Sequence, residues 1–189
     1  MNTRSNPHFG LTPSSWVERF AHLVPAGARV LDVAAGRGRQ ARLFAARGAR
    51  VIAVDRDAEA LAASAHVAGV ETRVADLQGG AWPFAGESFD AIVVVHYLHR
   101  PLFSPMLDAL ALDGVFVCET FAAGNEAYGR PTNPDFLLQE GELLERVRER
   151  LVVVAFEQGR VKLGEGFAVV QRIAAVGRAR RWPPPLDRA

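Results

Sequence analysis

Cysteine is almost absent. Cys118 stands alone among 189 residues, so no disulfide framework can form within the chain, which suits a reducing cytoplasm. It sits in the apolar run Val115-Phe-Val-Cys118, the setting of a core thiol that packs as a small hydrophobe rather than of a nucleophile. An excess of either charge is also lacking. Lys and Arg number 22 and Asp and Glu 21, a net charge of +1, and that balance gives no reason to expect nucleic acid or an anionic membrane as partner. No apolar run reaches bilayer length. The start, Met1 to His8, has no apolar h-region, so no signal peptide is expected. Internal repeats, low-complexity tracts and interdomain linkers are missing too.

What is present is an ordinary globular composition, 49% hydrophobic and 23% charged, in a chain long enough for one substantial core. The expectation is a single cytoplasmic domain over 1–177, with an added N-terminal helix at 13–23 and a core at 28–174. The basic, proline-rich tail 178–189 reads as a solvated, poorly ordered end. The protein is expected to be a monomer or homodimer with a small-molecule partner and no metal.

Along the core, strand-like apolar runs alternate with helical patterns, which predicts an α/β fold: a doubly wound, mostly parallel sheet. Strands are expected at Val30–Val33, Val51–Val54, Glu71–Val74, Ala91–Val95 and Val115–Glu119. Helices are expected at Gln40–Arg47, stopped by Gly48, then at Ala58–Ala65 with Asp57 as a cap, at Leu102–Leu112 and at Glu140–Arg150. Leu151–Gln158 and Gly166–Ala174 form a C-terminal antiparallel hairpin across the connection 159–165, giving seven strands. The segment Ala122–Asp135, rich in Gly, Pro and Asn, has the length of a functional loop and is expected to act as a mobile lid.

The chemistry concentrates at Val30-Leu-Asp-Val-Ala-Ala-Gly-Arg-Gly-Arg39. A buried-type strand carries Asp32 and runs into a small-residue turn, then into a helix. Gly36 and Gly38 allow backbone to approach a ligand closely, and the helix aims its N-terminus at that ligand. Open α/β sheets hold nucleotide-like cofactors at this edge. Gly36-Arg-Gly-Arg-Gln-Ala41 also fits a dinucleotide fingerprint, and Asp55 follows at the ribose-binding distance, so an NADP-dependent oxidoreductase is an alternative. Against it, Asp32 would repel a pyrophosphate, and a second acid, Asp76, follows strand three where an adenine amino group would be received. Each acid also has a structural reading: Asp32 and Asp55 can cap the next helix, and Asp76 can close a turn.

At these residues the chain resembles the class I S-adenosylmethionine-dependent methyltransferases, whose Rossmann-like domain the resemblance implies. Val30–Gly38 matches their first motif and Asp55 their strand-two acid, while Asp76 matches the strand-three acid. Phe89-Asp90-Ala91 and Leu112–Val117 match two later motifs. The resemblance implies S-adenosyl-L-methionine as cofactor. Asp32 would lie near its ammonium or sulfonium, Ala34, Gly36 and Gly38 against its methionine part, and Asp55 on the ribose hydroxyls. Asp76 and Leu77 would hold the adenine. Ala34 departs from the usual glycine, which is tolerable at negative φ. Arg56 departs from the usual apolar residue and would stack on the ring or, alternatively, read a 2′-phosphate.

The segment Val95-His-Tyr-Leu-His-Arg100 leaves strand four toward the expected crevice. His96, Tyr97 and His99 are therefore the candidate catalytic residues, His as a base of near-neutral pKa; the alternative is a histidine that only seats the cofactor, and His96 counts in both roles. The run Pro134–Leu143 resembles tellurite-resistance-type and related small-molecule methyltransferases, which also carry an acid like Glu119 at the end of strand five. That implies transfer to a small molecule or oxyanion, with Glu119, Tyr128, Arg130 and Asn133 as candidate acceptor contacts. A catalytically silent module that only binds S-adenosylmethionine is the alternative from another class.

Overall fold

A computed structural model describes residues 10–184 and Leu186. Its helices and strands, in chain order, are α1 (Ser15–Phe20, continued by a tight turn Ala21–Leu23), β1 (Arg29–Val33), α2 (Arg39–Ala46), β2 (Arg50–Asp55), α3 (Ala58–Ala62), β3 (Val70–Val74), β4 (Phe89–Val95), α4 (Phe103–Asp108), β5 (Leu110–Phe121), α5 (Glu142–Arg148), β6 (Leu151–Leu163) and β7 (Gly166–Gly177). The seven strands form one sheet in the order β3-β2-β1-β4-β5-β7-β6. β1 to β5 pair in parallel and β7 runs antiparallel to both β5 and β6. This is the doubly wound, seven-stranded Rossmann-like architecture expected from the sequence. The strand order reverses between β1 and β4, and such switch points open a crevice at the carboxyl ends of the strands.

The sheet is buried on both faces because its central strands are apolar at nearly every position. On one face Leu31, Val33, Ile92 and Phe116 join Phe103 and Met106 of α4 and Leu143 and Val147 of α5. On the other, Val30, Val93 and Val117 pack with Phe44 of α2 and with Trp16, Val17 and Phe20 of α1. Ser14 caps α1, its Oγ accepting from the Trp16 and Val17 amides, and Trp16 Nε1 donates to the Ile173 carbonyl of β7 at 3.1 Å. Among the described residues no helix is long and apolar enough to cross a membrane.

Several boundaries differ from expectation for identifiable reasons. The helix expected over 102–112 is a tight turn at Arg100–Leu102 followed by α4. It stops at Asp108 because Leu110 already pairs with Phe89 of β4. Residues 159–163 extend β6 instead of forming a loop, leaving a two-residue turn before Gly166. Asp57 caps α3 by accepting from Ala60 N–H at 2.9 Å, but the helix ends at Ala62. Cys118 is buried, as a core thiol would be, and burial pushes its pKa well up, which keeps it inert. At the head of the tail Arg178 donates to the Arg148 and Glu149 carbonyls and Arg180 to the Asp113 and Leu23 carbonyls, so those two residues are held to the body. Pro185 and residues 187–189 lie outside the described residues.

Candidate functional site

The turn after β1 is built around Asp32. Its carboxylate is 2% exposed and Oδ2 accepts from Ala41 N–H in the first turn of α2 at 3.0 Å. Burial pushes its pKa up to about 7, against the pull of the Ala41 N–H and the Arg39 charge; Asp55 adds a smaller upward push. Asp32 therefore lies behind the turn and shapes it, while the lining of the crevice comes from its neighbours. Ala34 has φ +55°, not the negative φ expected of a non-glycine there. Gly36 has φ +53°, with open space where a side chain would project. Gly38 serves packing: at φ +73° a Cβ would lie 2.4 Å from Ser64 Oγ.

A cleft of about 460 Å³ opens at the carboxyl edge of the sheet, within the range of ligand sites. Its walls come in order from successive strand ends: Ala34 after β1, Asp55 and Arg56 after β2, Ala75 to Gln78 after β3, His96 to Leu98 after β4, and Thr120 and Phe121 of β5. Pro131 and Phe136 close one side. Asp55 accepts from Gly36 N–H through Oδ2 at 2.8 Å and from Asp57 N–H through Oδ1 at 3.0 Å. A carboxylate has about four acceptor sites, so two remain for a ribose diol. Asp76 Oδ1 accepts from Gln78 N–H at 2.9 Å, and Leu77 is buried beside it. The Tyr97 hydroxyl is buried beside Gln78 without a well-formed hydrogen bond, and burial raises its pKa. That buried hydroxyl, in a wall that also carries Asp55, Arg56, Asp76 and Gln78, fits a polar ligand.

His96 adopts φ +58°, a strained conformation for a non-glycine residue, with its N–H donating to the Glu119 carbonyl at 2.8 Å. The ring stacks on Phe121 at 4.8 Å. Its Nδ1 lies 3.2 Å from the Arg39 guanidinium. Guanidinium only donates, so Nδ1 accepts and the neutral ring carries its proton on Nε2, 3.8 Å from Glu119 Oε1. Burial, followed by the Arg39 charge, lowers the His96 pKa to about 3. An imidazole so held is a poor general base. Of the two roles weighed for His96, this surrounding favours the histidine that only hydrogen-bonds or seats the cofactor over the near-neutral base.

A second cleft, about 380 Å³, adjoins the first across His96. It is lined by Gly10, Thr12 to Ser15, Arg39, Glu119, the hairpin residues Val161 to Gly164 and Val170, and Arg172. Glu119 Oε1 accepts from Ser14 Oγ at 2.9 Å and Oε2 from Arg172 at 3.4 Å. Arg172 is also bound to Glu157.

The structure thus brings Ala34, Asp55, Arg56, Asp76, Leu77, His96 and Tyr97 to one cleft and Glu119 to its neighbour. It does not bring Asp32, Gly36 or Gly38 into either lining, nor His99, whose carbonyl accepts from Leu102 N–H. Tyr128, Arg130 and Asn133 are exposed and line neither cleft. Tyr128 meets Phe167 of the hairpin at 6.3 Å, and Asn133 accepts from Asp135 N–H at 3.0 Å. Arg39, Lys162 and Arg172 escaped the sequence reading. Only Arg39 had a local signal, its place at the start of the helix that follows the glycine turn; Glu119 and Arg172 meet through strand register.

The sequence model of a family described as a methyltransferase domain matches residues 30–113. No curated protein matches the chain. Among solved structures it is similar to TehB from Haemophilus influenzae, at 18% identity and a TM-score of 0.69, over 86% of this chain and 61% of that one. It thus spans less than two thirds of that protein. It is similar to an S-adenosylmethionine-dependent methyltransferase from Mesorhizobium loti at 19% identity and a TM-score of 0.67, over 88% of this chain and 100% of that one. Coclaurine N-methyltransferase, solved with N-methylheliamine and S-adenosylhomocysteine (SAH), gives 14% identity and a TM-score of 0.63, over 85% and 70% of the two chains. At these identities the likeness is one of fold.

Proposed function

We propose that this chain is a class I S-adenosylmethionine-dependent methyltransferase that transfers the methyl group to a small molecule or oxyanion in the cytoplasm. The observation that carries the reading is the pair of clefts meeting at His96: a larger one walled by strand-end acids, and a smaller one across the ring. One structural neighbour is solved with a small molecule, N-methylheliamine, beside SAH. The single buried thiol suits a reducing compartment.

When bound, the cofactor supplies a methyl group made electrophilic by a positively charged sulfur. Asp55 accepts from the ribose hydroxyls with the lone pairs left by Gly36 and Asp57. Asp76 takes the adenine amino group, with Leu77 and Ala75 against the ring and Arg56 at the lip. Tyr97 stands beside Asp55, Arg56 and Asp76, so it serves that end and not the reacting one. Asp32 keeps the turn in shape and occupies the α2 amide that a dinucleotide pyrophosphate would take, which disfavours the NADP alternative. His96, which borders both clefts, helps seat the cofactor and does not remove a proton; a proton carried by the acceptor leaves to water. Alignment of the acceptor with the sulfur then supplies much of the rate.

The test is incubation with methyl-labelled S-adenosylmethionine and a panel of amines, thiols, phenols, carboxylic acids and oxyanions. The expected result is label on at least one small acceptor. Stoichiometric SAH binding with no transfer across the panel would contradict the enzyme reading and favour a silent binding module.

A further inference from the structure

The His96 ring stands between the two clefts on a backbone strained at φ +58°. Its N–H is fixed on the Glu119 carbonyl at 2.8 Å, and the ring lies on Phe121 at 4.8 Å, 23° from parallel. Neither contact decides which way round the ring sits. Turned over about its Cβ–Cγ bond, an imidazole keeps the stack but exchanges Nδ1 with a carbon. Nor does either contact decide which nitrogen carries the proton. Arg39 decides both. Its guanidinium, at the start of α2, lies 3.2 Å from Nδ1 and has only N–H to offer. A flipped ring, or one protonated on Nδ1, would set hydrogen against hydrogen there. On the other side Nε2 lies 3.8 Å from Glu119 Oε1, where an N–H suits the carboxylate and a lone pair does not. Arg39 is itself held by charge: Glu119 of β5 and Asp32 of β1 face it, and Arg172 of β7 faces Glu119 in turn. Burial comes first in keeping the ring neutral, so the distinct contribution of Arg39 is to orientation and tautomer.

A neutral imidazole with an unoccupied lone pair is a nucleophile, and a methyl group crossing from the first cleft to the second passes this ring. We propose that Arg39 is a positioning residue that holds His96 in one orientation and one tautomer, with both ring nitrogens occupied, so that the partition between the clefts offers no free lone pair to the methyl group. This rests on the methyltransferase reading above and adds a residue to its site. The nitrogen able to attack, Nδ1, is covered by the guanidinium. The other carries the proton and turns it toward Glu119. Without Arg39 an unwanted step opens. Nδ1 attacks the methyl carbon with its lone pair, an N–C bond forms as the S–C bond breaks, and the S–C electron pair stays on sulfur. The Nε2 proton then leaves to water, and SAH remains.

The test uses the full chain with its five histidines labelled with nitrogen-15 in the ring, and His96→Asn to assign the His96 NMR signals. The wild type is expected to show one form at neutral pH, with Nδ1 bare and Nε2 protonated. Arg39→Met is expected to show both tautomers. Arg39→Lys keeps the charge that Asp32 and Glu119 face but not the planar fork, and it is expected to show both as well, so the result does not hang on one variant folding. The second readout is intact mass after incubation with S-adenosylmethionine and no other acceptor. The wild type is expected to gain nothing. Arg39→Met is expected to gain one methyl group, mapped to His96 and missing from the double variant with His96→Asn. A wild-type ring protonated on Nδ1, a single unchanged tautomer in both Arg39 variants, or an Arg39→Met chain that binds SAH yet gains no methyl on His96 would each overturn the proposal. Failure of the wild type to bind SAH in calorimetry is a separate result: it removes the methyltransferase reading, while the ring spectra still decide whether Arg39 sets the tautomer.

Discussion

At the scale of single residues, the charge at Asp32 is the least economical feature of the site. Its carboxyl titrates at about 7 in the fold, chiefly because it is buried, against about 3.9 in an unfolded chain. Between those values the folded protein keeps a proton that the unfolded chain has lost. Stability is therefore full below about pH 4 and falls as pH rises through 7. Asp32→Asn keeps an oxygen for the Ala41 N–H and removes the charge. It is expected to match the wild type at pH 4 and to exceed it by about 2–4 kcal/mol at pH 8, measured by urea unfolding at both. An equal gap at the two pH values would contradict the assignment. Gly38 belongs to packing. Gly38→Ala combines positive φ with a collision at Ser64 and is expected to cost about 2–4 kcal/mol. Ser64→Gly in the same chain should return part of that, read as a coupling energy in a double-mutant cycle. Gly36→Ala meets open space and should cost only about 1 kcal/mol of backbone strain. The local motif told where these glycines lie but not that Gly38 serves packing, because Ser64 reaches it from the turn that follows α3.

At the scale of elements, the segment after β5 is a pinned wall where the sequence suggested a lid. Ala122 N–H donates to Val169 O, Ala123 N–H to Leu138 O, and Leu138 N–H to Phe121 O. Asn125, 1% exposed, accepts from Val169 N–H and donates to Pro131 O. Arg100 then fastens the far end, bonding Glu142 through two nitrogens and the Asp135 and Leu137 carbonyls. Burial alone would raise the Glu142 pKa, but bonds from Arg100, the Gln139 N–H and Arg146 outweigh it and hold the group at about 2. Glu142 thus stabilises the fold above about pH 4.5, and that contribution fades as pH falls toward 2. Glu142→Gln is expected to lose about 1–2 kcal/mol at pH 7, after allowance for solvent screening, roughly half of that at pH 3 and nearly nothing below about pH 2. Hydrogen exchange should find the Ala123, Asn125 and Leu138 amides protected before any ligand is added; fast exchange there would restore the lid. The composition of this loop was legible, but its anchoring depends on Arg100 and Glu142 meeting from separate elements. The short helix α4 was misjudged similarly, since Ala109 to Leu112 suit either helix or strand and Phe89 of β4 decides.

At the scale of the whole molecule, the sheet order does most of the functional work, because it delivers five successive strand ends to one crevice. That much was legible: the apolar runs, the glycine turn and the acids at 55 and 76 are local patterns, each at the carboxyl end of its own strand. The second cleft was not. Glu119 and Arg172 lie 53 positions apart, and the hairpin arm carrying Lys162 was expected to be loop. Nor could spacing show that the Arg39 guanidinium meets Nδ1 of His96. The account stands on one central claim, that the first cleft is an S-adenosylmethionine site read by Asp55. Calorimetric titration of the full chain with SAH, beside NADPH, tests it most directly. The account predicts one SAH per chain, no comparable heat from NADPH, and a loss of roughly 1.5–3 kcal/mol in Asp55→Ala. Tight NADPH binding with no response to SAH, or an Asp55→Ala variant that folds and binds SAH unchanged, would contradict it.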